Sequence, residues 1–470
     1  MFHCAGTLPA GTPATPTFAR MNTATLFADD SGSTPGLRGR SLSQVHGSIV
    51  APDAAAQGSA MRRMLAFFGP GYLVAVGYMD PGNWATSLAG GSRFGYSLLS
   101  VILLSNMIAM LFQAAAVRLG VAAGIDLAQA CRQQFSRRVS FMLWLFCEVA
   151  IIACNVAEVI GMAIGLNLLF GLPLTAGVVV TALDVTLLLA LQRRGFRWLE
   201  AAIISLIAVI GVCFALQIAW LHPPLTAVLA GFVPRLQIVT DPGMLYIAVG
   251  IVGATVMPHN LYLHSSVVQT RRHERSVGAR REAIRFATID STLALALALF
   301  VNAAIMILAA GAFHRPGAAP VEELSDAYRL LSPLVGVGIA SALFGVALLC
   351  SGLSSSVTGT LAGQIVMEGF LDLRMSPAAR AMLTRAIALV PAVAATAWYG
   401  SAGANSLLVF SQVVLSMQLP FAIVPLLLFT TRKRHLGEFA FGRGMAVLLW
   451  AAAGIVVALN VWMLQRLIFG

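Results

Sequence analysis

Beyond a polar first stretch, the chain is cut into about eleven apolar runs of ~20 residues, the length a helix needs to cross a bilayer core of ~30 Å. They fall near 66–91, 97–120, 139–169, 173–192, 200–220, 243–268, 287–312, 333–370, 382–399, 404–430 and 444–467, the eighth being long enough to include a helical extension. In hydrocarbon every backbone polar group must be satisfied within the segment itself, so such runs can only be helices. The expected fold class is an all-α polytopic membrane protein. Composition agrees: with 58% hydrophobic and 10% charged residues in 470, there is too little polar surface to cover a water-soluble globule.

The net charge of +11 does not point to nucleic acid, because the arginines are scattered between apolar runs instead of forming a basic face. They read as membrane topology. If the N-terminus is inside, alternate loops carry Arg118, Arg132, Arg137 and Arg138; then Arg193, Arg194 and Arg197; then Arg271, Arg272, Arg275, Arg280, Arg281 and Arg285; then Arg374, Arg380 and Arg385; and finally Arg432, Lys433, Arg434 and Arg443. The other side keeps only Arg93, Arg235, Arg315, Arg329 and Arg466. This bias predicts a cytoplasmic N-terminus, an external C-terminus and an odd number of spans in a plasma (inner) membrane.

Residues 1–60 are rich in Gly, Pro, Ser, Thr and Ala without apolar periodicity and are expected to be a disordered tail ahead of a transmembrane unit at 61–470. Met61 and Met64, directly before the first span, are alternative starts. Cys4, Cys131, Cys147, Cys154, Cys213 and Cys350 show neither disulfide nor zinc-site spacing.

Two of the spans are interrupted. In the first, Tyr78-Met79-Asp80-Pro81-Gly82-Asn83-Trp84 sets a helix breaker beside a carboxylate; in the sixth, Gly253-Ala254-Thr255-Val256-Met257-Pro258-His259-Asn260 repeats the pattern. Broken helices in corresponding positions, five spans apart, point to a transporter built from inverted repeats with its site where the breaks meet. A lone Pro is often only a kink, but an intramembrane Asp costs ~2.5–3.5 kcal/mol on insertion scales and marks function by default. Asp80 offers an anionic oxygen, Asn83 an amide oxygen and Ala254 a freed backbone carbonyl, so a cation is the expected cargo. The thioether of Met257 tilts selection toward Mn²⁺, Fe²⁺ or Cd²⁺ and away from Mg²⁺ and Ca²⁺, which prefer all-oxygen shells.

Glu148, Asn155 and Glu158 fall within about 80° of one another on the third helix and form a polar stripe suited to proton passage. Their plainer role is to cross-link helices. His259 and His264 can titrate near neutrality or simply pack. Arg385 is either a counter-charge for Glu148 or a positive-inside anchor.

At the two interrupted segments the chain resembles the Nramp (natural resistance-associated macrophage protein) family, whose hallmarks read Asp-Pro-Gly-Asn and Met-Pro-His. The similarity extends through Ser105-Asn106, Ala157 to Gly161, His259 to Arg271, Thr358 to Gln364 and Ser411 to Ser416, from about residue 65 to the last span. The resemblance implies the amino-acid-polyamine-organocation superfamily fold, which is leucine-transporter-like: two inverted five-helix repeats, here about 66–220 and 243–430, plus an extra helix at 444–467. It implies that Asp80, Asn83, the Ala254 carbonyl and Met257 bind the metal, that Gln412 approaches it, and that protons are cotransported. It implies no resident cofactor, the metal being the substrate, and the expected partners are divalent metal ions, protons and the lipid bilayer; a monomer suffices. Two departures stand out. Asn155, preceded by Cys154, replaces the family's commoner Asp, and Asn cannot carry a proton; Leu353 stands where Gln often follows Gly.

The competing readings are a sodium-coupled amino-acid transporter of the same fold and a non-transporting metal sensor. An intramembrane hydrolase is disfavoured: His259 and His264 are five apart with no Glu between them, and no Gly-x-Ser-x-Gly elbow occurs.

Overall fold

Apolar runs this dense have nowhere to go but side by side, and the computed structural model shows them as a single helical bundle. It describes residues 41–469 apart from 43–44, 51–59, 275, 316, 318 and 374.

Eleven spanning helices are present among the described residues. The first is split into α1a (Pro70–Ala75) and α1b (Pro81–Phe94), joined by a 3₁₀ turn, Val76–Met79, and by extended Asp80. There follow α2 (Leu99–Ala123), α3 (Arg137–Phe170), α4 (Leu174–Arg194) and α5 (Phe196–Leu221). The sixth is again split, into α6a (Pro242–Val256) and α6b (Pro258–Val267) around a non-helical Met257. After α7 (Val277–Phe313) and α8 (Ala340–Leu371) comes a 55-residue helical stretch, Pro377–Thr431. That is far too long for one crossing, and it breaks at Gly400, whose φ of 61° suits a residue without Cβ. It therefore supplies two spans, α9 (377–399) and α10 (401–431). Trp398 and Tyr399, both largely exposed, mark the break as a membrane-interface position. The last span is α11 (Arg443–Phe469). Thus α1–α5 and α6–α10 are two five-helix repeats, each opening with a broken helix, and α11 is the addition.

The expected extension of the eighth span is a separate amphipathic helix, Leu324–Val335, because Gly336 (φ 77°) ends it before α8 begins. Burial sorts the spans by depth: 94% of the apolar window of α6 is enclosed by protein, against 33% for α4, α5 and α11. So α6 is central, and the other three face lipid. The long α3 packs mainly against α8 and the α9–α10 pair, while α1b lies on α7 and α6a on the α9–α10 pair.

The basic loops converge on one end of the bundle, where Arg63 meets Glu282 at 3.0 Å, Arg132 meets Asp372 at 3.6 Å and Arg281 meets Glu438 at 2.8 Å. Residues 1–40 and 51–59, most of the expected disordered tail, lie outside the described residues. Its remaining part departs from that expectation. Ile49–Val50 pairs in parallel with Arg271–Arg272, and buried Leu42 donates its backbone N–H to Glu368 at 2.9 Å. Backbone pairing of this kind leaves no apolar period to read.

Candidate metal-binding and proton-coupling site

Both breaks arise because proline has no N–H to give. In α6, the carbonyl of Ala254 would be served by the N–H of residue 258, which is Pro258. The orphaned oxygen instead accepts from Asn83 Nδ2 at 2.9 Å, and the same amide donates to Tyr78 O at 2.7 Å. One side chain of α1b therefore stitches the two interrupted helices together at full burial. Further freed carbonyls of α1 are met from outside: Asn302 of α7 donates to Tyr78 O at 2.8 Å, and Ser351 of α8 to Met79 O at 2.5 Å. Irregular backbone at this depth is tolerated where freed carbonyls such as these find a partner in the protein.

Asp80, with no solvent exposure, caps α1b. Its Oδ1 accepts the N–H of Asn83 at 2.9 Å and its Oδ2 accepts from Gln412 Nε2 of α10 at 3.1 Å. This contact requires Gly82, where a Cβ would stand 1.7 Å from Gln412 Nε2, and Gly253, where one would stand 2.1 Å from the Gln412 carbonyl. Met257 is fully buried, and its Sδ accepts from Asn260 Nδ2 at 3.6 Å. Asn260 itself lies against α1, since a Cβ on Gly77 would come within 2.4 Å of its Nδ2. All five expected ligand residues thus gather where α1, α6 and α10 meet. Several polar atoms there are buried without a protein partner, among them Gln412 Oε1 and both ring nitrogens of His259. Unpaired buried polar groups are costly, and a bound cation or its water is the usual relief. Among the described residues, no three His, Cys, Asp or Glu converge as a metal centre. The donor set is one carboxylate with neutral oxygen and sulfur, suited to an ion that must leave again.

The remaining expected residues divide. Glu158 is buried on α3, accepts from Cys154 Sγ at 3.4 Å, and is within electrostatic range of Asp80 and Arg385. Asn155 turns its amide back onto Ile151 O at 2.7 Å on its own helix. His264 is hydrogen-bonded at 2.7 Å to Gln113 Oε1, and Gln113 Nε2 in turn donates to Tyr78 Oη, so it links α6b through α2 to α1. Arg385 is not the partner of Glu148. Glu148 pairs with Arg380 at 2.7 Å, and Arg385 pairs with Asp184 of α4, deep in the bundle. Arg380 and Arg385 are five residues apart on α9, so they reach different neighbours: one Glu148 in the first half of α3, the other the middle of α4.

A second polar cluster, unforeseen from the sequence, fixes the N-terminal end of α1a. Arg271 reaches Glu200 at 2.5 and 3.0 Å, Phe68 O at 2.6 Å and Ala66 O at 3.2 Å. Arg197 donates to the same two carbonyls at 2.8 and 2.9 Å. Asp290 of α7 accepts the N–H groups of Gly69 at 3.2 Å and Gly71 at 2.6 Å. Asp184, Glu200 and Asp290 all lie in or at the edge of apolar runs, and the rule that singled out Asp80 could have found them.

The natural resistance-associated macrophage protein-like family model matches residues 71–466. The divalent metal cation transporter MntH of Bradyrhizobium diazoefficiens is 60% identical over 431 residues, 92% of this chain and 95% of that protein. The crystal structure of the Eremococcus coleocola manganese transporter, in complex with an aromatic bis-isothiourea compound, superposes with a TM-score of 0.83 at 41% identity, covering 90% of each chain. Mhp1, a nucleobase-cation-symport-1 family transporter, shares the fold alone, with a TM-score of 0.58 at 16% identity over 85% of this chain and 91% of its own. The arrangement is the inverted-repeat, leucine-transporter-like one, and with a matched segment running from α1a to α11 the chain belongs to the Nramp family.

Proposed function

We propose that this protein is a secondary active transporter, not an enzyme, that imports divalent transition-metal ions by alternating access. Manganese is the first expected cargo, with iron(II) and cadmium also accepted, and protons are cotransported. The N-terminus lies in the cytoplasm and the C-terminus outside, as the clustered basic loops suggest. The observation that carries the reading is the meeting of α1 and α6 through Asn83 and the Ala254 carbonyl at 2.9 Å, beside the buried Asp80 carboxylate.

In this arrangement an amide hydrogen holds the place of positive charge. A metal ion entering there displaces that N–H from the Ala254 oxygen and takes Asp80, Asn83, Met257 and Gln412 as further ligands. The ion loses most of its water in doing so, and the sulfur makes that exchange more favourable for Mn²⁺ than for Mg²⁺ or Ca²⁺. The arriving charge favours ionised Asp80, which drives its proton toward Glu158 and His259 on the neighbouring helices.

The amino-acid reading requires the N-terminus of a half-helix to greet a substrate carboxylate. Here that terminus is already capped by Asp80, which repels an anion. Uptake by sealed proteoliposomes of labelled manganese, with labelled amino acids in parallel, tests the proposal. Manganese flux is expected, and a protein that binds the ion but moves none would be a sensor instead.

A further inference from the structure

The α3 stripe poses a problem for proton passage, since Asn155 cannot carry a proton and its amide is closed on its own helix. We infer that Asp184 of α4, held by Arg385 of α9, is the proton acceptor that follows Glu158. This rests on the proton-coupled reading above and deepens it.

Asp184 and Arg385 form an ion pair with side chains 4% and 3% exposed, in spans where charge is expensive. A buried ion pair is weak evidence for stability, because desolvation offsets most of its attraction. The pair is also incompletely satisfied: Asp184 Oδ1 and Arg385 Nη1 are buried without a protein partner, and so is Glu158 Oε2. A structural cross-link would be expected to close these valences, whereas a relay must leave atoms free to receive and pass a proton. Placement agrees. Glu158 stands against Gly359 of α8, within 2.9 Å of where a Cβ would lie. Ser356, one turn earlier on the same helix, is close to the Asp184 carboxylate. The two carboxylates therefore face neighbouring turns of α8 and lie within electrostatic range of each other and of Arg385.

The groups facing Asp184 are Arg385 from α9, Glu158 from α3 and Ser356 from α8; Cys154 of α3 also feels Arg385. On α5, Arg197 and Glu200 are committed to α1a and Arg271. On α3, Glu148 is committed to Arg380. In the step itself, the proton leaves the Glu158 carboxyl, which becomes a carboxylate, and joins the Asp184 carboxylate, which becomes a neutral acid. Arg385 keeps its own proton throughout and returns Asp184 to the ionised form as the proton departs to water on the cytoplasmic side.

The test uses the full chain in sealed vesicles, with manganese entry and internal acidification read together from mildly acidic to mildly alkaline external pH. In Asp184→Asn the protons entering per manganese ion fall at least about ten-fold, the scale of losing a positioned proton carrier, and uptake loses its dependence on external pH. Asp184→Asn/Arg385→Gln removes the unpaired guanidinium as well and shows the same flat profile, which decides the matter if the single variant does not fold. A wild-type proton-to-metal ratio in the variant that folds overturns the assignment of Asp184 and leaves coupling intact. Wild-type protein that moves manganese without protons overturns the coupling reading and the relay with it.

Discussion

Two polar clusters grip the same broken helix, and they are built in opposite ways. At mid-membrane, Asp80, Asn83 and Gln412 hold one another through few contacts, with Gln412 Oε1 and the His259 nitrogens unpartnered. At its N-terminal end, Arg271 alone makes four contacts to Glu200, Phe68 and Ala66, and Asp290 receives two backbone N–H groups. The first cluster is left short of protein partners, as the proposed ion site requires. The second is complete without a ligand and holds one conformation. Stability and function should therefore separate along the helix, with mutations in the first cluster abolishing transport but sparing the fold, and mutations in the second doing the reverse.

The largest effect is expected at Asp80. Asp80→Ala should lower manganese uptake by at least about two orders of magnitude, equivalent to ~3 kcal/mol of lost ion binding. Thermal unfolding in mild detergent should be unaffected or slightly later, because a buried charge has been removed. Wild-type-like flux in this variant would end the proposed site.

Arg271→Ala should invert that pattern. It leaves Glu200, 2% exposed, with only the half-exposed Arg197 at 3.4 Å as counter-charge, at a cost of up to about 3–5 kcal/mol. A clear drop in unfolding temperature is expected, together with greater reactivity, from the cytoplasmic side, of a cysteine placed on α1a. Adding Glu200→Gln should recover part of the stability. If Arg271→Ala unfolds at the wild-type temperature, the contrast between the clusters is wrong.

Why one cluster could be read from the sequence and the other could not follows from the same contrast. The proposed ion site announces itself locally: Asp80-Pro81-Gly82-Asn83 and Met257-Pro258-His259 each carry breaker and candidate ligand within a few residues, while Gln412, on a separate span, came only from the family resemblance. The eleven spans were legible for a similar reason, since hydrocarbon thickness dictates run length. The cluster at the start of α1a joins residues some seventy to two hundred positions apart, and its main acceptors are backbone carbonyls, those of Ala66 and Phe68, which every sequence possesses. Side-chain type says nothing about them. The partner of Arg385 is hidden for a related reason: Glu148 shares a polar stripe with Asn155 and Glu158, whereas Asp184 is the sole ionisable residue of its run, 173–192. The seat of Leu42 and Ile49–Val50 rests largely on backbone pairing, which composition cannot reveal.

Within the ion site, Met257 sharpens the comparison because it is the one soft donor among hard ones. Met257→Ala should reduce manganese uptake only about three- to five-fold, since the oxygens remain, while calcium and magnesium become markedly better competitors. Competition curves for calcium that superpose on the wild type would reject the thioether argument without touching Asp80.

The smallest effect tests the second cluster from its rim. Arg281 and Glu438 also form an ion pair at this end of the bundle, at 2.8 Å, a distance within a few tenths of that between Arg271 and Glu200. Distance alone would rank them together. Burial does not: the side chains of Arg281 and Glu438 are 64% and 45% exposed, those of Arg271 and Glu200 0% and 2%. An exposed pair gains little over its hydrated ions and is screened by salt, so Arg281→Ala should shift stability by no more than about 0.5 kcal/mol and leave manganese uptake as it was. Measured beside Arg271→Ala under the same detergent and salt, it isolates burial as the variable, because both changes delete one guanidinium from the same face. Equal losses in the two variants would mean that net charge, not the closed hydrogen-bond set around α1a, holds that end of the protein together.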